Sequence, residues 1–170
     1  NIRGVVALPR KDGKLSVVGV VARPSAGFRK GALVDAEDAT QALREVVLEL
    51  ERVAKRSAHN VFVNVNNEHT KARPSRGIVA VARADQEIQQ DDVERVIQAS
   101  RAVKLSPNHL VLHNIIREYF VDEVGDIHDP VGMTGSRLEV ATLIIEAFAP
   151  QVNLLVRCLA RAGARVGGLI

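Results

Sequence analysis

At 170 residues the chain can bury a real core, because folding at this size removes roughly 70% of the unfolded surface from water, and it fits one ordinary domain or two small ones. Aromatic residues make up 3% and Trp is absent, so the core must come from Val, Ile, Leu and Ala, and stacking platforms for single bases are disfavoured. One cysteine excludes an internal disulfide framework and points to a reducing compartment, while the net charge of +3 hides an uneven distribution.

Residues 1–76 hold 14 Lys and Arg against 8 Asp and Glu, whereas residues 77–170 hold 9 against 12. Such a split suggests two modules with different surfaces. No window reaches the roughly 18 uncharged apolar residues that a membrane-spanning helix needs. The best candidate, residues 138–156, is broken by Glu139, Glu146 and Pro150. The start at Asn1, without a basic-apolar-small leader, reads as a slice of a longer protein.

Residues 2–8 and 15–22 are Val-rich runs around a turn with an Asp12-Gly13 pair, which predicts a β-hairpin. A basic loop follows at residues 23–31, where Pro24, Gly27 and Gly31 argue against regular structure. Asp35 then caps a predicted helix, with Asp38 in a box-like position. Leu43, Val46, Val47, Leu50, Val53 and Ala54 recur at spacings of three and four, and Glu51 with Lys55 forms a favourable exposed pair.

Residues 61–65 alternate apolar and Asn as a half-buried strand, and residues 66–75 read as a polar connection ending near Pro74. Beyond it, residues 77–82 predict a strand and residues 91–103 a helix. Asp91 and Glu94 form its capping pair, and Val93, Val96, Ile97 and Val103 its apolar stripe. Residues 109–121 make a strand too long to lack a bend or bulge, and residues 138–148 make another. Pro150 opens a last helix on Val152, Leu155, Val156 and Leu159, which Gly163 stops. The second module thus orders as strand, helix, strand, strand, helix, an α/β or α+β layer with helices covering a sheet face.

Few constellations carry chemistry. His109 and His113 have helical metal-ligand spacing, but a strand there would part them by about 13 Å. Cys158 sits on the apolar side of its helix and reads as a buried thiol. No nucleophile-base arrangement and no phosphate loop is present, so catalytic, metal and cofactor residues are all expected to be absent from this chain. The basic residues of 23–30, with Arg73 and Arg76, suit either anionic lipid and nucleic-acid contact or a solvated loop, and the solvated reading is preferred. Glu123, Asp126 and Asp129 read as a loop edge in preference to a cation site. Residues 127–139 join two apolar runs through Asp129-Pro130, Gly132 and Gly135, which marks a shaped connection.

Several of these stretches resemble one family. Gly27-Phe28-Arg29-Lys30-Gly31 before Val34-Asp35, Ser75-Arg76-Gly77-Ile78-Val79-Ala80-Val81, Asp91-Asp92-Val93 and Glu118-Tyr119-Phe120-Val121-Asp122 are similar in order and spacing to FtsA, the actin-like bacterial cell-division family. The most specific match is Asp129-Pro130-Val131-Gly132-Met133 with Gly135, Arg137, Leu138 and Glu139. The resemblance implies part of an actin-like, ribonuclease H-like subdomain 1A over residues 1–68, an SHS2-type subdomain 1C over residues 69–164, and a return toward 1A at residues 165–170. It further implies a scaffold and not an enzyme. The parent would polymerise under the cell membrane at the division site, tether FtsZ and recruit later division proteins. Its peripheral attachment would use a C-terminal helix outside this chain, and its ATP and magnesium would bind phosphate loops also outside it. Self-association and protein partners are expected, nucleic acid is not. Within the second module the expected interaction residues are Arg117 and Tyr119, provided they face solvent, with Met133 and Arg137 at the loop. The rival readings are a type IV pilus assembly protein of the PilM kind and an ATP-using enzyme of the actin and sugar-kinase superfamily.

Overall fold

The computed structural model describes residues 1–55 and 60–170, and the fold divides into two compact units, residues 1–69 with 148–170 and residues 70–147. In the first unit β1 (Ile2–Pro9) and β2 (Leu15–Arg23) form the expected antiparallel hairpin, from Ile2 opposite Arg23 to Pro9 opposite Leu15, with a bulge between Val6 and Ala7. Gly13 takes positive φ in its turn. The basic loop is more ordered than its composition suggests: β3 (Phe28–Arg29) and β4 (Ala32–Leu33) pair within it.

Helix α1 (Ala36–Ala54) begins as predicted, with the Asp35 carboxylate accepting the N–H groups of Glu37 and Asp38 at 2.9 and 3.0 Å. Its stripe packs two ways. Val46 and Leu50 meet Val21 of the hairpin, while Ala39, Leu43 and Val47 meet Cys158, Leu159, Ala162 and Ala164. Those last residues belong to or follow α3 (Ala149–Arg161), which corrects the boundary drawn from sequence. The sequence pattern makes the segment through residue 164 the close of the second module, yet its apolar face completes the core of the first. Gln151 strengthens the attachment by donating to the Leu33 carbonyl and accepting its N–H, at 3.2 and 3.0 Å. Cys158 is buried, as expected, with its thiol toward the Ala36 carbonyl. Strand β10 (Val166–Leu169) then pairs in parallel with β5 (Val61–Val63). An apolar cleft of about 490 Å³ opens between Ile2 and Gly4 on β1 and Val61 and Val63 on β5, floored by Leu43, Val47 and Leu155.

The second unit is a four-stranded sheet in the order β6-β9-β7-β8, formed by β6 (Lys71–Ala80), β7 (His109–Val121), β8 (Val124–Ile127) and β9 (Arg137–Phe148) with its last residue outside the unit. Helix α2 (Gln90–Arg101) covers one sheet face. The module is therefore strand, helix and three strands, still the mixed α and β class expected. Strand β6 begins well before Gly77 and runs through Pro74, tolerable because β6 is an edge strand and a missing N–H there breaks no ladder. The α2 cap also differs. Gln89 is the cap residue, and the buried Asp92 carboxylate, not Glu94, accepts the Gln89 N–H at 3.1 Å. Asp91 pairs with Arg83 instead, and Arg95 binds Asp92 at 2.8 Å.

Close approach fixes where α2 sits. A Cβ on Gly77 would lie 2.1 Å from the Val96 carbonyl oxygen and 2.6 Å from the Ser100 nitrogen, both backbone atoms that cannot rotate away. Helix and strand therefore touch at the backbone, and Ser75 Oγ donates to the Ser100 carbonyl at 2.8 Å beside that contact. Around it Ile88, Val96, Leu138 and Val140 are fully buried, each contributing about 1.5–3 kcal/mol of hydrophobic stabilisation. Gly77→Ala is expected to lower stability by about 1–3 kcal/mol by forcing α2 off the sheet, read as a lower urea midpoint at unchanged slope. Asp92→Ala, which leaves the Gln89 N–H without its acceptor and Arg95 with only the Ala80 carbonyl, is expected to lower it by about 1.5–3 kcal/mol in the same assay.

Candidate interaction surface

The surface begins with a turn that composition conceals. Asp122 and Glu123 both take positive φ, at 45° and 79°, so β7 folds back into β8 through the mirror-image turn that suits strand twist. That turn usually recruits Gly, Asn or Asp. Here an Asp occupies it for a second purpose. Its Oδ1 accepts the Ser136 hydroxyl at 2.9 Å and the Arg137 N–H at 2.9 Å, its Oδ2 accepts the Ser136 N–H at 3.0 Å, and its own N–H donates to the Arg137 carbonyl. One carboxylate thus joins the β7–β8 turn to the start of β9.

From that anchor, residues 128–136 fold back over the unit's edge. The Asp129 carboxylate accepts the Val131 N–H, Pro130 is fully buried, and Gly132 takes positive φ while donating to the Ile88 carbonyl at 2.9 Å. Ile88 returns a bond to the Met133 carbonyl at 2.9 Å, and Gly135 donates to the Gln86 carbonyl at 3.0 Å. Gly135 is also sterically required, since a Cβ there would come within 2.3 Å of Val121 Cγ1. With its backbone so engaged, the loop holds two apolar side chains outward: Val131 is 45% exposed and Met133 is 37% exposed.

The expected interaction residues fall into different environments. Met133 stands at this surface and Arg117 is exposed on β7. Arg137 is half-exposed and ion-paired with Glu139 at 2.7 Å. Tyr119 fails its condition: it is 6% exposed, packed with Leu138, Val140 and Val121 beneath α2, so it is a core residue. Burial, with the charge of Asp129, pushes its phenol up and keeps it neutral. Because Arg137 alternates with buried Leu138, it lies on the sheet face opposite Tyr119. That second face holds a group that sequence reading missed. Glu139 is buried between Arg76 at 3.6 Å and Arg137, and the Arg76 guanidinium lies 5.1 Å from the Phe120 ring centroid. The only sequence signal is the Arg137-Leu138-Glu139 spacing, which puts both charges on one side of a strand.

Other sequence candidates resolve locally. His109 and His113 lie on the extended β7, as expected. Asp129 is engaged with Val131, and the Glu118 carboxylate accepts the Asp126 N–H. Burial would push the Glu146 carboxyl up, but the Ser106 hydroxyl and N–H, with Arg73 and His109, hold it below the usual range, tying the segment after α2 to β9.

The Ser136 N–H and hydroxyl, followed by the N–H and charge of Arg137, hold the Asp122 carboxyl below the usual carboxylate range. A carboxyl depressed by folding stabilises above its unfolded titration and loses that contribution as pH falls through its folded one. Asp122→Ala is therefore expected to lower the thermal midpoint at neutral pH, and the gap to the parent chain should narrow as the solution is acidified below the ordinary carboxylate range. A constant gap at all pH values would contradict the assignment.

Comparison with known proteins agrees with this architecture. Residues 67–146 match the family described as the SHS2 domain inserted in FtsA. Proteins named cell division protein FtsA from Pseudomonas aeruginosa, Bacillus subtilis and Borreliella burgdorferi are each 32% identical to the chain, across 94%, 91% and 98% of it. The chain spans 38%, 35% and 40% of their respective lengths. Among solved structures, a PilM-PilN type IV pilus biogenesis complex superposes over 98% of the chain and 43% of its own with a TM-score of 0.60 at 15% identity, a likeness of fold alone. Residues 67–146 thus match an SHS2 domain of the FtsA type, within a longer stretch similar in sequence to FtsA proteins.

Proposed function

We propose that this chain is a segment of a bacterial cell-division scaffold, in which the SHS2 unit makes protein-protein contacts through the loop of residues 128–136. The observation that carries the proposal is the pairing of a hydrogen-bonded backbone with outward Val131 and Met133. A loop ordered in advance loses little conformational entropy on docking, so even a small apolar contact yields affinity. Met133 adds a polarizable side chain suited to irregular partner surfaces. Arg137 at the loop's end and Arg117 on β7 supply charge, and Tyr119 leaves the set.

In this reading the parent polymerises beneath the cell membrane, anchors FtsZ there and recruits later division proteins. The C-terminal anchoring helix and the ATP and magnesium site belong to parts of the parent outside this chain, which acts as a scaffold and not as a catalyst. A pilus-assembly role of the PilM kind is the second reading, favoured by the shared fold. The division role is preferred because the relatives similar in sequence along the chain carry that name.

Sedimentation velocity of the chain, with and without Val131→Asp and Met133→Asp together, tests the contact. The double variant is expected to weaken self-association at least about tenfold, a change of about 1.4 kcal/mol, at unchanged circular dichroism. Association equal to the parent chain would remove the loop from the interface.

A further inference from the structure

The distal part of the β1–β2 ribbon is bare. Helix α1 closes on its proximal half, where Leu50 meets Gly4 and Val53 meets Gly19 so tightly that neither glycine could carry a Cβ without displacing them. Past that point the packing stops. Every residue from 9 to 18 is exposed, including Leu15 at 70% and Val17 at 60%. The register puts Leu15 opposite Pro9 and Leu8 opposite Ser16, so aliphatic groups ring the end of the ribbon. The turn beyond them carries Arg10, Lys11 and Lys14 against Asp12 alone, a net charge of +2. Asp12 is engaged by Arg10 Nε at 3.6 Å and by the Lys14 N–H at 3.2 Å, which tightens the turn and leaves the two lysine ammonium groups outward.

We propose that this tip docks on the surface of an anionic lipid bilayer. Arg10, Lys11 and Lys14 meet the headgroup charges while Leu8, Leu15 and Val17 enter the boundary between headgroups and acyl chains. Neither feature alone would hold the chain there, but paired weak signals combine, as an acyl chain combines with a basic patch. The ribbon is folded before it binds, so docking needs no ordering step. The charge pattern selects this occupant over two others. A nucleic-acid backbone would satisfy the basic residues but leave Leu15 and Val17 in water. A second copy set tip to tip would bring Lys11 and Lys14 against their own equivalents. The inference concerns residues in this chain and does not depend on the division reading, which stands or falls separately.

Co-sedimentation of the chain with vesicles of equal phosphatidylglycerol and phosphatidylcholine, and with phosphatidylcholine alone, tests it at physiological salt. Binding is expected to the anionic vesicles only. Lys11→Glu with Lys14→Glu, and separately Leu15→Ser with Val17→Ser, are each expected to weaken it at least about tenfold with circular dichroism unchanged. Arg29→Glu with Lys30→Glu, in the basic loop away from the tip, is expected to have the smaller effect. The proposal is overturned by absent or lipid-indifferent binding, or by retention in either tip variant. Loss on charge reversal alone, with duplex DNA competing for the chain, would mark a general polyanion site instead.

Discussion

The second unit depends on the Asp122 carboxylate, which closes a two-residue turn and receives the first hydrogen bonds of the strand that follows the loop. Without it, the β7–β8 turn would keep only the Asp122 N–H bond to the Arg137 carbonyl and the pairing of β7 with β9 to set its relation to the start of β9. With it, residues 128–136 become a backbone fastened at both ends, and the exchange of bonds with Gln86 and Ile88 fastens the middle. The loop is polar and Gly-rich, a composition that ordinarily means mobility. Here the glycines serve close approach and positive φ, and backbone polar groups are taken up by the fold. Among the polar His128, Asp129, Thr134 and Ser136 that stay exposed, the loop holds out the apolar Val131 and Met133 on which the proposed contact rests.

The two units solve different packing problems. The first has little sheet of its own, so α1 serves two partners, the hairpin on one side of its stripe and α3 on the other. The second has one sheet and one helix, joined by backbone contact at Gly77 and by the aliphatic layer around Leu138 and Val140. Its other sheet face has no helix among the described residues and carries the Arg76, Glu139 and Arg137 group over Phe120. Burying Glu139 between two guanidiniums lets a carboxylate stay charged near the start of β9.

Local signals are legible in the sequence wherever one residue type has one physical meaning. Asp12-Gly13 marks the hairpin turn, Asp35 the α1 cap, and the three-and-four spacing of Leu43, Val46, Val47 and Leu50 the buried stripe. The loop's family resemblance is legible too, through Pro130, Gly132 and Gly135. What escapes depends on partners distant in the chain. The allegiance of α3 is set by a match between its apolar face and α1, which the helix's own pattern cannot express. Strand β6 begins in a polar stretch because one of its faces is open, and a run containing Pro74 reads as a connection unless its edge position is known. The Asp122-Glu123 turn lacks the Gly that signals its type. Whether Tyr119 faces solvent is not legible either, because Ile115, Ile116 and Arg117 are exposed in succession and simple alternation along β7 does not carry through to its end.

Amide hydrogen exchange of the intact chain tests the central claim, that residues 128–136 form a fastened presenting surface, most directly. Gly132, Gly135 and Ser136 donate to Ile88, Gln86 and Asp122, so their amides are expected to be protected at a level approaching that of the β9 core. Exchange of those three amides at the rate of an unstructured peptide, while β9 stays protected, would contradict it.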